Sequence, residues 1–185
     1  MSLSLVESVR ALSFGVALIL SVVVCPAQTS TSEWHQCWSK GTTIPAEERI
    51  KNCTNLIEKG EKGKFSVKLL AVAYSNRGMA YRDMDLTDQA ISDFTKAIGL
   101  NPDFDVAYYN RGNAYGRKAL YVQAISDYTK SIQLAPDNFA YTNRAWAHEQ
   151  NDERDLAIAD YRAALKLDPT DSHAKEALQR LGVSP

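Results

Sequence analysis

Apolar and polar residues follow a helical period along this chain, and the pattern recurs. The stretch "AYSNRGMAY" at 73–81 returns as "AYYNRGNAY" at 107–115 and as "AYTNRAWAH" at 140–148. In the first copy Ala73, Tyr74, Arg77, Gly78 and Tyr81 are separated by steps of one or three residues, which places them on one face of a helix. We predict that this face is buried.

A second helix is predicted after each copy. Its stretches are "QAISDFTKAIGLNP" at 89–102, "QAISDYTKSIQLAP" at 123–136 and "LAIADYRAALKLDP" at 156–169. Pro102, Pro136 and Pro169 prevent the helix from continuing, so the chain must turn back. The copies recur with a period of roughly 34 residues, and a period of this length without strand patterns predicts an array of helix pairs.

Small residues recur inside the first helix of each pair. Gly78 and Gly112 each cost about 1 kcal/mol relative to alanine in a helix. The close approach of a partner helix is the usual compensation, and Ala145 serves the same purpose in the third copy. We therefore expect the two helices of each pair to meet at these positions.

The recurring columns resemble the tetratricopeptide repeat family, whose pattern combines aromatic, small and proline positions. The matching residues are Tyr74, Arg77, Gly78, Tyr81, Ala90, Phe94 and Pro102 in the first copy, and Tyr108, Arg111, Gly112, Tyr115, Ala124, Tyr128 and Pro136 in the second. The third copy keeps Ala145, Ala157, Tyr161 and Pro169 but carries Tyr141, Arg144 and His148. The resemblance covers about residues 67–171 and implies an all-α fold, a right-handed solenoid of antiparallel helix pairs. An arginine stands where the family usually has leucine.

Each of these arginines is followed by an aspartate at a constant distance along the chain. The separation is the same in all three copies, for Arg77 with Asp93, Arg111 with Asp127, and Arg144 with Asp160. A charge pair that recurs beside the helix contact favours structural ion pairs within a unit or between neighbouring units. A site for an anionic ligand is the functional alternative.

The units that follow from this pattern divide the chain into segments. Residues 172–185 form a capping helix and tail, because an array needs a closing helix over its last apolar face. At the other end, 28–66 is a degenerate helix pair in which Cys53 aligns with Phe94. The three repeat units are 67–104, 105–137 and 138–171.

The resemblance also indicates a binding surface, since the first helices of tetratricopeptide domains line a concave groove. The column Asn76, Asn110 and Asn143 predicts side-chain amides for the backbone of an extended peptide, although a solvated or turn-capping column is the alternative. The predicted groove residues are Val72, Ser75, Asn76, Met79, Val106, Tyr109, Asn110, Asn113, Arg117, Phe139, Thr142, Asn143, Trp146 and Gln150. The family's clamp for chaperone tails is incomplete here, so a terminal carboxylate is not the implied ligand.

Composition and charge exclude several functions. The chain is 45% hydrophobic and 23% charged, within the globular range. Its formal net charge is −1 and no basic run gathers, so nucleic acid is not an expected partner. No phosphate loop, nucleophile motif or metal-ligand spacing is present, and we expect no enzyme activity, cofactor or metal.

We therefore predict a scaffold for protein–protein interactions that binds a peptide or protein segment in its groove. The alternative is a structural or assembly subunit, or an envelope protein that associates with itself.

The segment 1–27 differs from the rest of the chain. Arg10 is followed by the uncharged, mostly apolar stretch "ALSFGVALILSVVV", and then by small residues around Ala27. This pattern is typical of a secretory signal peptide at 1–27, and an uncleaved anchor or a lipid attached to Cys25 are the alternatives. We expect an exported protein, periplasmic or secreted, with no membrane attachment after cleavage.

Removal of the signal would leave two cysteines, Cys37 and Cys53, in a compartment that permits disulfides. Their separation along the chain equals that of Gly78 and Phe94, the positions where the two helices of a unit are expected to meet. We therefore predict a disulfide that joins the two helices of the N-terminal unit. Two unlinked buried thiols are the alternative.

Overall fold

The computed structural model describes residues 34–38 and 44–184, and every regular element in these residues is helical. The predicted signal peptide at 1–27 lies outside the described residues. The described part of α1 is 34–38, and the later helices are α2 (Ala46–Lys59), α3 (Val67–Asp83), α4 (Thr87–Leu100), α5 (Asp105–Arg117), α6 (Tyr121–Leu134), α7 (Asn138–Gln150), α8 (Arg154–Leu167) and α9 (Ser172–Arg180). Within this part of the chain no helix has the length and apolar character needed to cross a bilayer.

The helices form antiparallel pairs stacked as a right-handed solenoid. The pairs are α3 with α4, α5 with α6 and α7 with α8, and each pair packs on the next through α4 with α5 and α6 with α7. The first helices lie on the concave side, where α3 also contacts α5 and α5 contacts α7. The last pair is closed by α9, which buries Ala174, Ala177 and Leu178.

Local sequence explains where the helices end. Asn101, Ala135 and Asp168 leave the helical conformation for an extended one, and each precedes a proline. Between the two helices of each unit, Asp85 and Asp152 and the equivalent Ala119 adopt positive φ values of 60°, 61° and 56°. The left-handed backbone conformation at this position reverses the direction of the chain within a few residues.

The contact between the two helices of a unit depends on a missing side chain. A Cβ atom on Gly112 would lie 2.8 Å from Cε1 of Tyr128, and one on Gly78 would lie 2.8 Å from Cε1 of Phe94. Both rings are buried and cannot move aside. The third unit carries a methyl group at this position, where Ala145 and Tyr161 belong to the same buried cluster.

Replacing Gly112 by valine is therefore expected to lower the free energy of unfolding by about 2–3 kcal/mol, because the larger side chain overpacks the helix contact. Gly99 of α4 is the matched control, since no atom lies within 4 Å of the place that a Cβ would take there. Gly99→Val should raise stability by a few tenths of a kcal/mol through helix propensity. Urea unfolding of both variants checks the pair, and equal effects would contradict the packing account.

The N-terminal unit is tied by a covalent bond. Cys37 of α1 and Cys53 of α2 form a disulfide with a Cα–Cα distance of 5.0 Å, and both side chains are buried. After α2 the chain continues in a wider helical turn, Gly60–Lys64, which Gly63 ends with a φ of 77°. Trp34 then packs edge-on against Phe65, with ring centroids 5.4 Å apart.

Candidate peptide-binding groove

The concave side carries a line of three clefts between the first helices. The N-terminal cleft, about 430 Å³, lies between α3 and α5, and the C-terminal cleft, about 540 Å³, lies between α7 and α9. A smaller middle cleft of about 240 Å³ shares Asn143 and Trp146 with the C-terminal one. The predicted groove residues that line these clefts are Asn76, Met79, Val106, Tyr109, Asn110, Asn113, Arg117, Phe139, Thr142, Asn143 and Trp146.

Large apolar side chains in the groove are open to solvent. The exposed fraction is 40% for Val106, 62% for Phe139 and 40% for Trp146. Trp146 is held in place, because its ring meets Tyr121 edge-on at 5.6 Å and lies over Gly116. The groove thus presents preformed apolar contacts of the kind that anchor protein partners.

The asparagines of the predicted column are mostly engaged within the protein. Asn76 and Asn110 are buried, and Asn110 already accepts a hydrogen bond from Arg82 (3.1 Å) and donates one to the Val106 carbonyl (2.9 Å). Ser75 is also buried and lines none of the three clefts. The physical reason is that α3 packs against α2, α4 and α5 together, which leaves only a narrow strip facing the groove.

The third asparagine of the column is also engaged within the protein. Asn143 Nδ2 donates to the Tyr109 hydroxyl and to Asn113 Oδ1, both at 3.0 Å. The Tyr128 hydroxyl donates to the same Asn113 oxygen at 2.8 Å. These bonds tie α5, α6 and α7 together and make the floor of the groove rigid.

One amide in the column keeps a free donor. Asn76 Nδ2 is buried in the wall of the N-terminal cleft and has no hydrogen-bond partner in the structure, as is also true of Arg49 Nε. A buried donor without an acceptor costs free energy, so this unpaired amide lowers the stability of the surrounding packing. Two predicted residues, Val72 and Gln150, line none of the three clefts.

Trp38 is a groove residue that was not among those predicted from the sequence. This side chain is 60% exposed and lines the N-terminal cleft beside Met79. The sequence could have indicated this residue, because the alignment of Cys37 with Gly78 places Trp38 in the same column as Met79, Asn113 and Trp146. Other cleft residues were also missed. Arg82 lies at the end of α3, and the rest come from outside the first helices: Arg49, Tyr161, Asp171, His173, Glu176 and Arg180.

The two ends of the groove differ in charge. At the N-terminal cleft, Arg49 and Arg82 bind the same carboxylate, Asp83, with N–O distances of 2.6 and 3.0 Å. Partial burial opposes the charged form of Asp83, but these hydrogen bonds hold its pKa below the usual value. At the C-terminal cleft, Arg180 makes two hydrogen bonds to Glu149, which raise the pKa of Arg180.

The three predicted arginine–aspartate pairs lie in the structure between helices, outside the clefts. Arg111 binds Asp127 through Nε and Nη2 at 2.7 and 2.8 Å, and its Nη1 donates to Thr95 of the preceding unit at 3.0 Å. The guanidinium also lies near the rings of Tyr108 and Tyr115, 5.8 Å from each centroid. Corresponding bonds join Arg77 to Asp93 and Thr54, and Arg144 to Asp160 and Thr129.

Together with its threonine, each pair connects three helices, and the aspartate of each pair is buried. The pairs therefore stabilise the stack of helices. In the part of the chain that the structure describes, no group of three or more His, Cys, Asp and Glu residues is placed to hold a metal ion.

The fold and the groove define a helical-repeat interaction domain. A family model described as tetratricopeptide repeat matches three segments, residues 71–104, 106–138 and 139–171. The chain belongs to the tetratricopeptide repeat family.

Solved structures of similar shape carry the same fold. The tetratricopeptide domain of Arabidopsis OM64 is 30% identical, with a TM-score of 0.61 over 62% of this chain and 96% of that chain. The first tetratricopeptide domain of RPAP3, solved with the HSP90 peptide SRMEEVD, is 28% identical, with a TM-score of 0.60 over 64% of this chain and 93% of that one. MamA is 26% identical, with a TM-score of 0.60 over 69% of this chain and 71% of that chain.

Proposed function

We propose that this protein is a scaffold that binds a segment of another protein in its concave groove. The observation that carries the proposal is the row of exposed apolar side chains, Val106, Phe139 and Trp146, on a floor held rigid by hydrogen bonds. A preformed groove binds an extended segment with little ordering cost of its own. The first tetratricopeptide domain of RPAP3, solved with the HSP90 peptide SRMEEVD, is a similar domain that holds a peptide.

We also propose that the protein acts after export, in the periplasm or outside the cell. Two features support this location: the signal-like pattern at 1–27 and the buried disulfide between Cys37 and Cys53. Disulfides form and persist in oxidising compartments.

A second candidate function is that of a self-associating assembly subunit. Val122 of α6 and Leu156 of α8 favour it, because both lie on second helices with 65% and 53% of their surface exposed. These two residues are outside all three clefts. They offer an apolar contact that would not use the groove.

Two matched double variants separate these functions. Val106→Ser with Phe139→Ser removes apolar contacts from the groove, and Val122→Ser with Leu156→Ser removes a similar exposed pair from the second helices. We expect the groove variant to capture at least about tenfold less of the wild-type partners from native extract, as the loss of two interface anchors implies. Quantitative mass spectrometry of the captured proteins gives the ratio.

The second-helix variant should capture partners as the wild type does. If the groove variant retains all partners, the groove proposal is wrong. If the wild type is a dimer by light scattering and only the second-helix variant is a monomer, the assembly function is supported.

A further inference from the structure

The C-terminal cleft combines aromatic walls with carboxylates. Phe139 and Trp146 of α7 and Tyr161 of α8 form its apolar surface. Asp171, at the start of α9, and Glu176, within α9, add acidic groups to the same cleft. A long aliphatic side chain with a charged end matches such a site, because its stem contacts rings while its head meets carboxylates.

The Asp171 carboxylate is fixed in its position. Only 6% of its side chain is exposed, and Oδ2 accepts a hydrogen bond from the Thr142 hydroxyl at 2.8 Å. Oδ1 accepts from the Ala174 backbone N–H at 3.1 Å, so the carboxylate also caps α9. These donors are neutral groups, and Glu176 at the exposed rim adds a second carboxylate to the cleft.

The cation within the cleft does not cancel these charges. Arg180 is engaged by Glu149, with Nη1–Oε2 at 2.7 Å and Nη2–Oε1 at 3.0 Å. Glu149 also accepts from the Tyr161 hydroxyl at 2.6 Å, which fixes the pair against the cleft wall. His173 is exposed to solvent, and its Nδ1 lies 3.9 Å from Asp171 Oδ1, beyond hydrogen-bond distance. The cleft therefore keeps an excess of negative charge.

We propose that the C-terminal cleft holds a lysine or arginine side chain of the segment bound in the groove. The assignment rests on the proposed groove function and specifies the chemistry of its partner. The aliphatic stem lies against Phe139 and Trp146, and the cationic head faces Asp171 and Glu176.

The N-terminal cleft has the opposite balance and would not accept the same side chain. Arg49 and Arg82 share one carboxylate there, Asp83, which leaves an excess of positive charge. A basic residue in the partner is repelled from that end and attracted to the C-terminal one. The groove thus selects the direction in which a segment with a basic residue lies.

Four synthetic peptides test the proposal: acetylated and amidated Gly-Ser-Gly-X-Gly-Ser-Gly with X as lysine, arginine, norleucine or glutamate. Each is titrated into the ¹⁵N-labelled full chain, and the Trp146 indole N–H and the backbone N–H groups of α7 and α9 report binding. We expect the lysine and arginine peptides to bind at least about fivefold more tightly than norleucine, by the charge term alone. Raising the salt from about 0.05 M to about 0.5 M should remove most of this preference.

Glu176→Gln is the diagnostic variant, because this exposed side chain does not take part in the Asp171 cap. This change should weaken binding of the lysine peptide about threefold, which is the effect expected from losing one exposed charge pair. Glu58→Gln is the matched control, because it makes the same change at an exposed position of α2, and it should leave binding unchanged. Thermal unfolding of both variants verifies that the fold is retained.

The proposal is overturned if norleucine binds as well as lysine, if no basic peptide shifts the cleft resonances, or if Glu176→Gln has no effect. These outcomes are independent of the capture experiment with Val106→Ser and Phe139→Ser. Loss of partners by that variant without a basic preference would leave the groove function intact and refute only the cation site. Unchanged partner capture together with a basic preference would refute the groove function instead.

Discussion

Replacing Arg111 by alanine is expected to lower the free energy of unfolding by about 3–5 kcal/mol, because the change leaves the buried carboxylate of Asp127 without its cation. Asp127 is only 5% exposed, so its carboxylate depends on protein partners for its hydrogen bonds. The substitution also removes the hydrogen bond to Thr95 that joins this unit to the preceding one. Urea unfolding followed by circular dichroism measures the loss.

Three further variants define the cause. Arg162→Ala, an exposed arginine of α8, should change stability by less than about 0.5 kcal/mol. Arg111→Lys keeps the positive charge but loses the bidentate hydrogen bonding to Asp127. It should therefore retain only part of the stability that Arg111→Ala loses. Removing Asp127 together with Arg111 should cost less than removing Arg111 alone. A loss below about 1 kcal/mol for Arg111→Ala would show that the pair does not stabilise the stack.

The second large effect concerns the disulfide of the N-terminal unit. Replacing both Cys37 and Cys53 by alanine is expected to cost about 3 kcal/mol, the value for opening a loop of this length in the chain-entropy account. Because units of a solenoid contact only their neighbours, the loss should be local. Hydrogen exchange should accelerate in α2 and leave α7 and α8 unchanged.

Reductant supplies the control for this prediction. Dithiothreitol should destabilise the wild-type chain and have no effect on the Cys37→Ala, Cys53→Ala variant. Equal stability of wild type and variant under oxidising conditions would contradict the role of the disulfide.

The repeat period made the fold predictable from the sequence. Each copy contains the same two features: a small residue that faces an aromatic ring, as in Gly112 and Tyr128, and a proline after the second helix. Because each contact joins residues of one unit, its spacing is visible along the chain. The same constant separation therefore indicated the arginine–aspartate pairs as well as the Cys37–Cys53 bond.

Contacts between units were harder to predict. Thr54, Thr95 and Thr129 occupy one column, but the sequence does not show that each meets the arginine of the next unit. The burial of Asn76 and Asn110 has the same origin, since it depends on how α3 and α5 lie side by side. The positions of residues around one helix do not show which neighbouring helices will cover them.

The chemistry of the C-terminal cleft was the least visible feature. Its charged wall comes from α9, which the sequence marks only as a closing helix. Asp171 and Glu176 face Trp146 because α9 takes the place of the next first helix in the stack. Their role follows from that placement and from no motif in the sequence.

Site-specific photo-crosslinking tests the groove account most directly. Benzoylphenylalanine is introduced in producing cells at Val106 or Phe139 in the groove, and at Val122 or Leu156 on the second helices. We expect the two groove positions to form a covalent adduct with the same partner protein, and the two outer positions to form none. Adducts from Val122 and Leu156 with none from Val106 and Phe139 would contradict the groove account.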